Sequence, residues 1–359
     1  MDRRHVLSLA GLAGTGLLAA CSTGPSGGQS TTSSASGTAG ATSGTSAAAG
    51  PEAGALPASV THVFGTTRIE QEPKRIVTIG PSDADFVVDL GLLPVGICAA
   101  SWGGNANKST DWLDEATRKL GGDPTAIPRI DTTDGIPAAT IAALQPDLIL
   151  GTYSGMTDKE YAALSKIAPT VAYPKLPWST SWQDQNRLIG QAVGRPAAAA
   201  TQAKRMDEAF AKAAADHPEL AKVSVAWIWF TPDDMSTLGY YTAHDQRDII
   251  LRDLGTKASP TVEAASKDTK SFMGQLSAEK ASTFDADVVV FDASTAGMTD
   301  KVLAHPLLGS TPALKAGNYL QLTDPVEYLT ISLTSPLTVP VATQGFIPRL
   351  AEVAARASA

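Results

Sequence analysis

The chain has 359 residues, 43% of them apolar, and a formal net charge of −8 at pH 7. That length suits two domains of ordinary size with filled cores. An acidic balance with no stripe of clustered Lys and Arg excludes a nucleic-acid-binding surface.

The first residues, MDRRHVLSLAGLAGTGLLAAC, combine a basic start, an apolar run too short to span a bilayer, and small residues before Cys21. This is the pattern of a bacterial export signal. Leu18-Ala19-Ala20-Cys21 resembles a lipobox, in which the cysteine becomes the lipidated first residue of the mature protein. Arg3-Arg4 resembles a twin-arginine signal, from which Asp2 and Val6 depart. Residues 1–21 are read as a lipoprotein export signal that leaves the body anchored at the outer face of the cell membrane. The alternative is a general secretory signal with an incidental cysteine. Residues 22–56 are dominated by Ser, Thr, Gly and Ala, which bury too little apolar surface to offset ordering entropy, and form a flexible tether. The other cysteine, Cys98 in PVGICAA, is a small buried hydrophobe.

Residues 57–194 read as a first α/β lobe. Thr61 to Ile69 suggests a hairpin, Ile76 to Ile79 a buried strand, and Asp83 to Leu90 a helix closed by Gly91. Pro94 to Ala99 is the next strand, and LQPDLIL over Leu144 to Leu150 runs from a helix end through a Pro break into another. Apolar runs alternating with helices favour a mostly parallel sheet.

Residues 195–217 form one long helix. Ala199, Ala203, Met206, Phe210 and Ala213 recur at steps of four and three, Pro196 can start the helix, and Pro218 cannot continue it. With similar strand–helix patterns on either side, it reads as a spine joining two lobes, the second spanning 218–359. The fold expected is α/β, two lobes with mostly parallel sheets.

Glu72-Pro73-Lys74-Arg75-Ile76-Val77, the LGLLPVG that follows, Gln145 to Leu150, Ile167-Ala168-Pro169-Thr170-Val171, Leu276-Ser277-Ala278-Glu279 and Asp285 to Val290 together carry a resemblance. In order and spacing they resemble the iron-siderophore and cobalamin branch of the periplasmic binding proteins. PWSTSWQDQNRLIGQAVG is most similar to siderophore-binding members of Gram-positive bacteria. The resemblance implies two lobes held by a rigid helix, a ligand cleft between them, capture of a ferric siderophore and delivery to an ABC permease. Iron enters only within the bound siderophore, no resident cofactor is implied, and a monomer suffices.

Ligands of open α/β sheets lie beyond the carboxyl ends of the strands. Residues just after strand ends are therefore the candidates: Trp102 and Tyr153 in the first lobe, Trp178 before the spine, and Tyr240, Tyr241 and Phe272 in the second lobe. Aromatic faces suit a large chelate, and Tyr adds a hydroxyl. Tyr153 falls at the position of a pocket tyrosine of the ferric-hydroxamate binders, and Phe272 close to a pocket tryptophan. Trp227, inside a strand, and Trp112 read as packing residues.

Two departures from the family pattern matter. Where relatives place an arginine that meets anionic chelate oxygens, this chain has Arg129 displaced from the cleft, which favours a neutral ferric hydroxamate over a catecholate; Arg247 could supply charge from the other lobe. Of the two glutamates that dock such proteins on the permease, Glu279 matches one, while Ala139 stands at the other, with Asp134 nearby as a substitute. Scattered histidines and the absence of nucleophile, phosphate-loop and dinucleotide motifs speak against metal binding by the chain and against an enzyme. Two alternatives stay open: a cobalamin or haem receptor on the same fold, and a surface interaction protein that has lost transport.

Overall fold

The computed structural model describes residues 50–359. The export signal with Arg3, Arg4 and Cys21, and the tether up to residue 49, lie outside the described residues.

The chain begins with an antiparallel hairpin, Ala58–His62 against Gly65–Ile69. Alternate residues Val60, His62, Thr67 and Ile69 are buried, the period of a strand with one face on a core. His62 sits within a polar chain. Phe64 N donates to its Nδ1 at 3.2 Å, which leaves the proton on Nε2 to bond Thr67 Oγ1 at 2.9 Å. Thr67 Oγ1 in turn donates to the Thr170 carbonyl at 2.6 Å.

The first lobe's sheet is parallel. Ile76–Thr78 pairs with Leu148–Gly151, which pairs with Thr170–Ala172. A bridge from Val77 to Gly96 leads on to Ile97–Cys98, itself parallel to Arg129–Ile130. Ile76, Val77, Leu148, Ile149 and Leu150 are all buried because helices cover both faces. The helix Asp83–Asp89 stops at Leu90, and Gly91 follows with φ +82°, a left-handed position that glycine takes without steric cost.

The second lobe's sheet runs Met273–Ser277, Asp234–Tyr241, Ser224–Thr231, Val288–Asp292, Tyr319–Leu322, with Lys257–Ala258 beside the start of Ser224–Thr231. The strands from Ser224 through Tyr319 are parallel. Asp234–Tyr241 and Met273–Ser277 add an antiparallel edge, because Pro232 and Asp233 return the chain directly instead of through a crossover helix.

Between the two sheets in sequence lies the helix Pro196–Asp216, 21 residues and about 30 Å long. Its buried face is Ala199, Gln202, Met206, Phe210 and Ala213. Gln202 is the polar member of that stripe, and its amide donates to Asp89 Oδ2 at 2.7 Å, tying the helix to the first lobe. At its start the helix comes very close to the preceding one, Trp182–Ala192. A Cβ on Gly190 would stand 2.2 Å from that of Ala199, so only glycine fits there. One apolar cluster passes from Phe86, Leu148 and Val171 through Ala199, Met206 and Phe210 to Trp227, Val290 and Phe346.

Residues 50–56, assigned by composition to the tether, are packed. The Glu52 carboxylate accepts from Ala197 N at 2.7 Å and Ala198 N at 2.8 Å, two donors that the first helical turn leaves unpaired. Leu56 rests on the shared core. Composition hides this because one Glu and one Leu do the packing among Gly, Ala and Pro.

Candidate functional site

A cavity of about 270 Å³ opens between the carboxyl ends of first-lobe strands and a helix of the second lobe. The first-lobe wall is Pro81, Cys98 to Trp102, Thr110 and Thr132. Opposite stand Tyr328, Leu329 and Ser332 on the helix Pro325–Ser332, with Leu333 after it and Arg247 beside it. Pro81, Ala99 to Trp102 and Thr132 follow strands, where the chain leaves the core, while Thr110 caps the helix Asp111–Lys119.

Arg247 is at the centre of the polar chemistry. It opens the helix Gln246–Asp253, whose N-cap is Asp245. The guanidinium Nη1 donates to both Asp245 carboxylate oxygens at 2.9 Å, and its carbon lies 4.0 Å from the Tyr241 ring centre and 5.1 Å from that of Tyr328. The two phenol oxygens are 2.9 Å apart, so the rings form one hydrogen-bonded cradle under the cation. Burial opposes the charge on Arg247, but the Asp245 carboxylate and the surrounding tyrosines outweigh burial and hold the guanidinium well above its ordinary pKa. Its Nε has no hydrogen-bond partner among the described residues.

Trp102 forms an exposed rim, 44% accessible, with its ring edge-on to Tyr328 at 5.1 Å. Tyr153 is buried, and burial raises its hydroxyl pKa; Asp245, Arg247 and Tyr241 are close enough to act on it electrostatically. Trp178 meets the Tyr153 ring edge-on at 5.7 Å. Trp178 has φ +57°, a costly backbone for a bulky residue, and its indole nitrogen would be 2.3 Å from a Cβ on Gly155. The close approach of indole to backbone at Gly155 therefore holds that ring in place.

Two buried carboxyls support the first-lobe wall. Asp83 accepts from Thr152 N and Thr152 Oγ1 at 2.9 and 2.6 Å, joining two strand ends, and burial raises its pKa to about 6. Asp85 accepts from Trp112 Nε1 at 3.1 Å, and burial raises it to about 7. Trp112 accordingly packs against Ala84, Val88 and Leu113.

Of the sequence candidates, Trp102 lines the cavity; Tyr153, Trp178 and Tyr241 do not, but stand near one another behind Arg247 and Tyr328. Tyr240 does not join them. Tyr240 neighbours Tyr241 on one strand, so its side chain takes the opposite face, buried at 7% exposure and packed on Phe284 at 5.8 Å. Phe272 lies one position before the edge strand Met273–Ser277, half-buried, where its carbonyl accepts from Thr242 N. It is not among the cavity's lining residues. Trp182 and Trp227 are core residues. Arg129 is turned away, donating to the carbonyls of Asn107, Ile127 and Pro124. Glu279, Asp134 and Ala139 are exposed.

The sequence reading omitted Tyr328 and the helix around it. The signal was present: Asp324 follows the strand Tyr319–Leu322 and caps the helix Pro325–Ser332, so the strand-end rule applies there as it does after the first-lobe strands.

A family profile described as periplasmic binding protein matches residues 76–326. The putative ABC transporter substrate-binding lipoprotein YhfQ of Bacillus subtilis is 31% identical over 141 residues, 38% of this chain and 40% of that protein. The probable siderophore-binding lipoprotein YfiY of the same species is 33% identical over 138 residues, 38% of each chain. These alignments span about two fifths of each relative's length. The crystal structure of Streptococcus pneumoniae PiaA in complex with ferrichrome superposes with a TM-score of 0.77 at 29% identity, over 83% of this chain and 99% of that one.

Proposed function

Because the chain belongs to the periplasmic binding protein family, we propose that it is a lipid-anchored receptor that captures a ferric siderophore outside the cell and delivers it to an ABC importer. The observation that carries the reading is the cavity between strand ends and the Tyr328 helix, with Arg247 on its wall, held by Tyr328 and by Tyr241 behind it. An oxygen-rich chelate needs a few well-placed donors on an otherwise apolar wall, and this cavity has that balance. The likeness to a ferrichrome-bound structure supports a hydroxamate chelate as the ligand. So does Arg129, whose donors are spent on its own loop.

In this reading Trp102 contacts the chelate, with Tyr328 added from the structure, while Tyr153, Trp178 and Tyr241 stand behind Arg247 and Tyr328. The apolar cluster shared by the spine helix and both sheets keeps the lobes nearly fixed, so capture involves little hinge motion. Cys21 carries the lipid, and Glu279 and Asp134 meet the permease. Quenching of tryptophan fluorescence on titration with ferric hydroxamates, ferric catecholates and ferric citrate tests the reading. Saturable quenching by the hydroxamate is expected; a folded protein silent to all three rejects it.

A further inference from the structure

We propose that Asp245 sets the charge of the ligand, by cancelling Arg247 so that the cleft grips oxygen atoms without favouring anions. The inference rests on the siderophore reading and goes further by assigning selectivity to a residue outside the cavity wall.

Arg247 is the one charged side chain among the described residues that line the cavity. An isolated guanidinium there would attract any anionic chelate, and in a partly desolvated cleft that attraction is strong. Asp245 removes it. Its carboxylate is fully buried and takes two bonds from Nη1 at 2.9 Å, so cation and anion form a closed pair. What remains is geometric. Arg247 lines the cavity with 11% of its side chain accessible; Nη1 is spent on Asp245, and Nη2 makes no hydrogen bond to a described residue. A donor at a cavity wall that no protein acceptor satisfies suits a ligand oxygen. The cleft therefore offers a hydrogen bond with no net positive charge behind it. A ferric trihydroxamate, neutral because three hydroxamates balance one ferric ion, matches that offer; a tris-catecholate, which keeps excess negative charge, does not.

Asp245 also caps its helix by accepting from Arg247 N at 2.8 Å, and asparagine can do the same. Asp245→Asn thus removes charge with little change in shape, while Asp245→Glu keeps the charge. Calorimetric titration of the purified protein and these variants with ferrichrome and with an anionic ferric tris-catecholate reads the ratio of the two dissociation constants. The wild type is expected to bind ferrichrome and prefer it. Asp245→Asn should shift the ratio toward the catecholate by about tenfold or more, and Asp245→Glu should leave it near the wild-type value. A general loss of structure would weaken both ligands alike. Ferrichrome binding with an unchanged ratio in Asp245→Asn overturns the role of Asp245 and leaves the siderophore reading standing. A folded wild type that binds neither chelate overturns both.

Discussion

Ser335 of the second lobe donates a 2.6 Å hydrogen bond to the carboxyl of Asp85 in the first lobe, and both residues are buried. Trp112 donates to the same oxygen, Oδ2, from within the first lobe. A single buried carboxyl thus joins both lobes beside the cleft.

Burial raises Asp85 to about 7 in the folded state from an ordinary value of 3.8. The folded protein holds that proton at pH values where the unfolded chain has lost it. Its contribution to stability is therefore full below the unfolded pKa and is lost as pH rises through about 7. Asp85→Asn keeps an acceptor for Ser335 but cannot ionise. Urea denaturation should show the variant gaining on the wild type by about 2–4 kcal/mol between pH 4 and pH 8. A constant difference across that range would mean that Asp85 does not titrate within the fold.

His62 has the opposite sign. Burial lowers its pKa, and Phe64 N already donates to Nδ1, so a second ring proton has no acceptor. The stability tied to the neutral ring is present above the unfolded value near 6.5 and is lost as pH falls toward the lowered folded value. Removing the titrating ring by His62→Gln should flatten the loss of stability below pH 6.5. Thermal melts of both proteins from pH 5 to pH 8 check this.

Trp102 and Tyr240 make a contrasting pair. Trp102→Ala removes an exposed ring at the cavity rim and should weaken ferric hydroxamate binding about tenfold or more with little loss of stability. Tyr240→Ala removes a ring from the second lobe's core and should cost about 3 kcal/mol or more of stability. Tyr240→Phe keeps the packing and should leave affinity unchanged. Parallel binding and denaturation curves separate the two sites.

Glu52 closes the start of the spine helix with two hydrogen bonds. Glu52→Ala should destabilise the protein by about 1 kcal/mol without altering ligand affinity. An unaffected denaturation midpoint would place residues 50–56 outside the folding unit.

The elements were largely legible because each carries a local signature. Unbroken apolar runs such as Leu148 to Leu150 mark parallel strands covered on both faces, Gly91 marks a helix end, and the spacing of Met206, Phe210 and Ala213 marks a buried helical stripe. The site was legible only in part. The strand-end rule picks out Trp102, which lines the cavity, but it does not say which of two adjacent tyrosines faces Arg247. That choice depends on register: Tyr240 pairs with Ile228 and shares the face that packs on Phe284, so Tyr241 takes the other side. Arg247 was ambiguous for a different reason. On an amphipathic helix an arginine is usually solvated, and its burial follows from Asp245, Tyr241 and Tyr328, which lie on three separate elements. No local pattern encodes that meeting.

Native mass spectrometry of the protein mixed with ferrichrome, iron-loaded and iron-free, tests the central claim most directly. A one-to-one complex with the ferric form and none with the iron-free form is the predicted result. A folded protein that binds neither form, or one that arrives already carrying cobalamin or haem, would contradict it.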